Sequence, residues 1–206
     1  MASQITHIPY AKKVLDMFLS GQKIDEKKFF IGTLFPDIRY LGVIAREKSH
    51  YLDPTVEGLL TIDGDFEKGR YTHALIDLER ERTLTRLGAY DLLDNGPFVT
   101  FAMKFIEDEF SYNLIYDWNK YINFMNEVLS EEESLVSKEA VQQWHILIQK
   151  YFSSKPTPET VVVFSKDLKS FNPEYIPPTL KEMAKIRENS RVMEIIKNTG
   201  DNLFRI

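Results

Sequence analysis

Residues 68–87, KGRYTHALIDLERERTLTRL, decide the fold of this 206-residue chain. Tyr71, Ala74, Leu75 and Leu78 recur at helical spacing and form one apolar stripe. Ile76, Leu84 and Leu87 lie on other faces. A helix that is apolar on more than one side is largely buried, and Gly88 ends it. His73 and Asp77 stand four residues apart, so their side chains share one face, one turn apart. A buried imidazole and a buried carboxylate need partners, because burial without them is costly. A shared metal ion is one answer. Arg80 and Glu81, which extend the same face, are another. Taken alone, the pair also reads as an ordinary His–Asp pair on a helix surface.

Outward from this segment the chain keeps a helical rhythm, and the spacing predicts an all-helical domain over 1–206. Nine glycines and nine prolines punctuate it sparsely. Ala11, Val14, Leu15 and Phe18 predict a first helix from Ile8 to Ser20, with Gly21 as its C-terminal cap. Asp25 is an N-cap for a second helix that runs to Leu34 and ends at Pro36. Residues 38–66 read as loop with short helical pieces. A helical region follows Pro97 through Phe101, Phe105 and Ile106 and breaks near Ser111–Asn113. Further helices are expected over Tyr116–Leu129 and from Ser137 to Phe152, with an acidic turn or helix start at Ser130–Glu133. Thr157-Pro158-Glu159-Thr160 opens a short helix. A Pro-rich loop spans Asn172–Pro178, and a last helix runs from Thr179 to Asn198. Residues 153–206 are a candidate peripheral extension.

Composition bounds the function. Hydrophobic residues make up 43% and aromatics 13%, enough for a sizeable core. The net charge of −5 gives no electrostatic footprint for duplex nucleic acid. Without cysteine, disulfides and thiolate metal sites are excluded, so any metal must take nitrogen and oxygen ligands. The start, Met1-Ala2-Ser3-Gln4, lacks a charged head followed by an apolar run, so no signal peptide is expected. No stretch approaches the roughly 20 apolar residues of a membrane span. A cytoplasmic location is the resulting expectation; the oligomeric state is unread.

Four histidines occur in the chain, and three of them precede Ala74. His7 continues the buried stripe of the first helix toward its N-terminus. It reads either as a ligand or as a core histidine bonded to a carbonyl. Asp37 leaves the apolar helix end directly after Phe35-Pro36, where proline restricts the backbone; a plain turn aspartate is the alternative. His50 follows the charged run Arg46-Glu47-Lys48-Ser49. Together with His73 and Asp77 these make three imidazoles and two carboxylates, a donor set suited to zinc, manganese or iron. His145, beside Trp144, reads as a core histidine. Arg39, Arg70 and Arg80 lie near the candidate ligands in sequence and are candidates for contact with a phosphate.

In order and spacing, four strings resemble the zinc-dependent phospholipase C proteins, which share a fold with the zinc-dependent single-strand nucleases. They are Ile5-Thr6-His7-Ile8, then Gly32-Thr33-Leu34-Phe35-Pro36-Asp37, then His50, then His73-Ala74-Leu75-Ile76-Asp77. The resemblance covers about residues 5–80. It implies a multi-helix bundle of that type, in which Asp37, His50, His73 and Asp77 ligate one zinc. Asp77 would bridge to a neighbouring metal that His7 also reaches. The implied reaction is phosphate-ester hydrolysis on a small substrate, with Asp37 and Asp77 as catalytic carboxylates, metals on the phosphate oxygens and a bound water of lowered pKa.

The chain departs from the family pattern at three places. Thr83 stands where a further histidine is expected. Gln149, not glutamate, follows His145 by four residues. The neighbouring metal in the family also takes the amino terminus of a processed, secreted chain, and no signal peptide is expected here. The competing expectation is therefore a non-catalytic helical metal-binding protein that acts through a partner. A phosphohydrolase built on an adjacent His-Asp pair is set aside, because no histidine here is followed by aspartate.

Overall fold

The computed structural model describes residues 3–93, 96–169 and 171–205. Among these residues there are twelve α-helices and no strand. The helices are α1 (Gln4–Val14), α2 (Glu26–Leu34), α3 (Arg46–Ser49), α4 (Val56–Thr61), α5 (Asp65–Arg86) and α6 (Pro97–Ser111). They continue as α7 (Trp118–Phe124), α8 (Ser130–Glu133), α9 (Lys138–Phe152), α10 (Pro158–Asp167), α11 (Ile176–Glu188) and α12 (Ser190–Asn202). No helix among the described residues is long and apolar enough to cross a membrane.

Two glycines set the centre. A Cβ on Gly32 would lie 2.1 Å from the Phe66 carbonyl oxygen, and one on Gly69 would lie 2.0 Å from that of Phe29. Only glycine lets α2 and α5 cross with their backbones touching. The crossing buries Phe29, Phe35 and Phe66, each of which contributes about 1.5–3 kcal/mol by leaving water. Through it the Thr33 carbonyl comes within reach of the His73 side chain on α5. Helix α1 lies against α2, α5 and α6. Thr6 ties it to α6, its backbone N–H and Oγ1 both donating to Asp108 Oδ1 at 2.9 and 2.7 Å.

Several boundaries move for identifiable reasons. Helix α1 begins at Gln4, before the expected Ile8, and continues through a wider π-helical turn over Leu15–Leu19. The second helix does not stop cleanly at Pro36. The chain tightens into a 3₁₀ turn over Phe35–Leu41, with Pro36 in its first turn, where a missing N–H costs nothing. The expected Tyr116–Leu129 helix is only Trp118–Phe124, capped by the Asp117 side chain, which accepts from Asn119 N. The expected last helix is two, α11 and α12. The chain breaks at Asn189, whose side chain caps the second helix by accepting from Val192 N. Segment 153–206 is also more than a peripheral strip. Helix α11 packs along α6, and Met183, Ile186, Val192, Ile196 and Leu203 are buried in the common core.

Candidate metal centre

His7, Asp37, His50, His73 and Asp77 are all buried, none more than 6% exposed. Four elements deliver them: α1 brings His7, the 3₁₀ turn after α2 brings Asp37, the end of α3 brings His50, and α5 brings His73 and Asp77. The donor atoms of His7, Asp37 and His73 lie within 4.8 Å of one another, as do those of His50, His73 and Asp77. His73 belongs to both groups.

Each imidazole is held by its Nδ1. His7 Nδ1–H donates to the Ser3 carbonyl at 2.9 Å, and His73 Nδ1–H to the Thr33 carbonyl at 2.8 Å. A carbonyl only accepts, so both rings carry their lone pair on Nε2. Ser49 Oγ donates to the Arg46 carbonyl at 3.1 Å, which leaves its lone pairs for the His50 Nδ1–H at 2.8 Å. His50 then also presents a bare Nε2. An imidazole fixed by one nitrogen to a carbonyl or hydroxyl, with the other facing inward, is how proteins orient metal ligands.

The inward atoms converge. His73 Nε2 lies 3.1 Å from His50 Nε2. Asp77 approaches His73 Nε2 through Oδ2 and His7 Nε2 through Oδ1, each at 3.6 Å. Asp37 Oδ1 lies 4.0 Å from His50 Nε2. Two ligand atoms of a tetrahedral zinc site with bonds near 2.0–2.1 Å are about 3.3 Å apart, so these separations suit a shared cation. His7 Nε2 and Asp37 Oδ1 are buried without a hydrogen-bond partner. Turning the Ser49 hydroxyl toward His50 would close the contact between His50 and His73 as a hydrogen bond. It would still leave His7 Nε2 and Asp37 Oδ1 unsatisfied.

Burial shapes the charges. It pushes the His7 imidazole down to about 3, helped by repulsion from His73. It pushes His73 down to about 4 and His50 to about 2. All three rings are neutral at pH 7, the state a metal requires. Burial, with repulsion from Asp77, pushes the Asp37 carboxyl up. For Asp77 burial pulls the same way, but the surrounding positive groups outweigh it and hold the carboxylate ionised. The Oδ2 of Asp37 accepts from Gln4 Nε2 at 2.8 Å, so Gln4 orients this carboxylate.

The three arginines divide. Arg39 stays at the site, its Nε 3.7 Å from Asp37 Oδ1 and its guanidinium over the Tyr40 ring at 4.1 Å. Arg70 instead braces the loop that carries His50, donating to the Lys48 and Ser49 carbonyls at 3.0 and 3.3 Å and to Glu67. Arg80 is buried, with Nε on Glu107 at 2.5 Å and an amino group on Glu81 at 2.7 Å. None of the three arginines lines the cleft beside Asp37, whose walls include Ser3, Gln4, Asp37, Tyr40 and Lys104. Sequence reading missed Gln4 and Lys104. Lys104 had a signal, being the lone cation in the apolar run Phe101–Ile106.

Two positions that the resemblance marks for further ligands, His145 and Gln149, do not join the centre. His145 is engaged elsewhere, with Nε2 at 2.9 Å from Glu132 Oε1 and Nδ1 on the Met125 carbonyl at 3.1 Å. This is the core histidine the sequence suggested. Gln149 Nε2 donates to the Ile122 carbonyl and to Asn126. The amino terminus lies outside the described residues. Comparison of the chain with protein families, curated proteins and solved structures finds no match.

Proposed function

We propose that this chain is a metal-dependent phosphoesterase with a reduced metal cluster, its helical bundle of the zinc-dependent phospholipase C type. Asp37, His50, His73 and Asp77 hold one divalent cation, zinc or else manganese or iron. Asp77 extends toward a second ion with His7. The observation that carries the reading is the donor set itself. Three imidazoles are anchored through Nδ1, and their Nε2 atoms converge on two carboxylates in a buried pocket. Without a cation, His7 Nε2 and Asp37 Oδ1 are left without a hydrogen-bond partner, an arrangement that burial makes costly.

A bound cation would supply Lewis-acid polarisation of a phosphoryl oxygen and a water of lowered pKa. The chain's own residues supply the rest. Asp37 lines the cleft, and its buried Oδ1 has no hydrogen-bond partner; its carboxylate can accept a proton from the attacking water and aim it. Gln4 fixes that carboxylate through its other oxygen. Arg39 offers a guanidinium beside it. Contact between the donor set and a cleft favours catalysis over a closed structural site, since catalytic sites keep an open position.

A second reading, a non-catalytic metal-binding protein, draws on Thr83 and Gln149, which stand where further ligands would complete the cluster. Hydrolysis of bis(4-nitrophenyl) phosphate separates the two. Turnover that is lost to chelator and restored by zinc supports the enzyme. Zinc retained with no turnover above buffer supports the second reading.

A further inference from the structure

Lys104 on α6 is only 5% exposed, and it lines the cleft beside Asp37. Its aromatic neighbour is the Phe101 ring, 5.6 Å away. Burial pushes its pKa down, while the Asp77 and Asp37 carboxylates pull it back up. Arg80, one helix away, shows the alternative: an equally buried cation with two carboxylates bonded to it. Lys104 instead lines the cleft that also exposes Asp37.

The cleft has two kinds of wall. Lys104, Asp37, Gln4, Ser3 and Tyr40 line one part, and phenylalanines with Leu168 line the rest. The apolar part offers Lys104 nothing to bond and keeps bulk water thin around it, so an ion pair formed here is stronger than one in solvent. The free volume is about 30 Å³, space for about two water-sized atoms. That admits the terminal oxygens of an oxyanion but not a bulky group. Charge gives the sign. A divalent cation and Lys104 together carry one positive charge more than Asp37 and Asp77 neutralise, an excess that an anion offsets.

We propose that Lys104 is the anion-holding group of this centre: its ammonium takes the outer oxygens of a phosphoryl group that enters the cleft against Asp37. The substrate class that follows is a phosphate ester presenting a slim phosphoryl terminus, with the remainder of the molecule outside the slot. This inference rests on the metal-centre reading for its charge balance, and its test separates the two.

Inorganic phosphate, titrated calorimetrically into the zinc-treated full chain, is the probe, with bound zinc measured on the same samples. Wild type binds phosphate. Lys104→Met keeps the wild-type zinc content and loses at least tenfold in phosphate affinity. Lys104→Arg, which preserves the charge, stays within about threefold. Lys104→Gln replaces the methionine variant if that variant does not fold. Phosphate affinity in the neutral variants within twofold of wild type, at equal zinc content, overturns the assignment. So does a zinc-loaded wild type that binds no phosphate, and the metal reading then stands alone. If wild type holds no zinc but phosphate binding still depends on Lys104, the lysine keeps its role and the metal reading falls.

Discussion

Helix α5 carries two buried polar clusters one turn apart, and they are built on opposite principles. The Arg80 cluster is complete in itself. Both oxygens of Glu107 accept a hydrogen bond, from Tyr10 and from Arg80, and both oxygens of Glu81 do so too, from Arg80 and Tyr90. The His73 cluster is incomplete. Its rings are fixed from outside through Nδ1, while His7 Nε2 and Asp37 Oδ1 are buried without a hydrogen-bond partner. The same helix thus carries one polar face that holds the fold together and another that, under the proposed function, would take a cation. A buried network with all its partners is structural; converging donors without hydrogen-bond partners make a candidate site.

The largest expected effect breaks the complete cluster. Glu107→Ala leaves the buried Arg80 with Glu81 alone and takes the acceptor from Tyr10, which costs up to about 3–5 kcal/mol. Urea unfolding should show that loss with or without zinc, and a loss below about 1 kcal/mol would contradict the account of this network. Next comes Gly69→Ala, which strikes the incomplete cluster from a distance. The new Cβ would meet the Phe29 carbonyl oxygen at 2.0 Å, so α2 must shift away from α5 and draw Thr33 from His73. A cost of about 1–3 kcal/mol is expected from overpacking, together with weaker zinc binding. Unchanged zinc affinity in a destabilised Gly69→Ala protein would uncouple the helix crossing from the site.

The last effect is gated by pH and concerns another buried carboxylate. Burial raises Asp108 from 3.8 to about 6 although Thr6 and Tyr151 donate to it. Its proton therefore stays on the folded chain after the unfolded chain has lost it. The associated stability is full below pH 3.8 and is lost as pH rises through about 6, by at most about 1.4 kcal/mol per pH unit. Asp108→Asn should flatten the stability profile between pH 4 and 6. A wild-type stability that rises with pH across that window, with the variant parallel to it, would contradict the assignment.

Much of this was legible in the sequence. The four-residue step from His73 to Asp77 dictates a shared helix face, and the two-sided apolar pattern around it dictates burial. Gly32 was legible as part of a string, but its physical reason, backbone contact with Phe66, needs the partner helix. The arginines show where sequence fails. Arg39, Arg70 and Arg80 look alike in a charge pattern, yet only Arg39 stays at the site, because Glu67, Glu81 and Glu107 engage the other two. The break at Asn189 was missed because the apolar rhythm runs on across it; the asparagine ahead of Ser190 was its only local signal.

Equilibrium dialysis against zinc, followed by metal analysis of wild type and His73→Ala, tests the central claim most directly. His73 belongs to both donor groups, so its loss should empty the centre. The account predicts at least one tightly held zinc per wild-type chain, a thermal midpoint that falls on chelation, and neither property in a folded His73→Ala protein. A wild-type chain that leaves dialysis without metal, or a His73→Ala chain that keeps the same zinc, would contradict it.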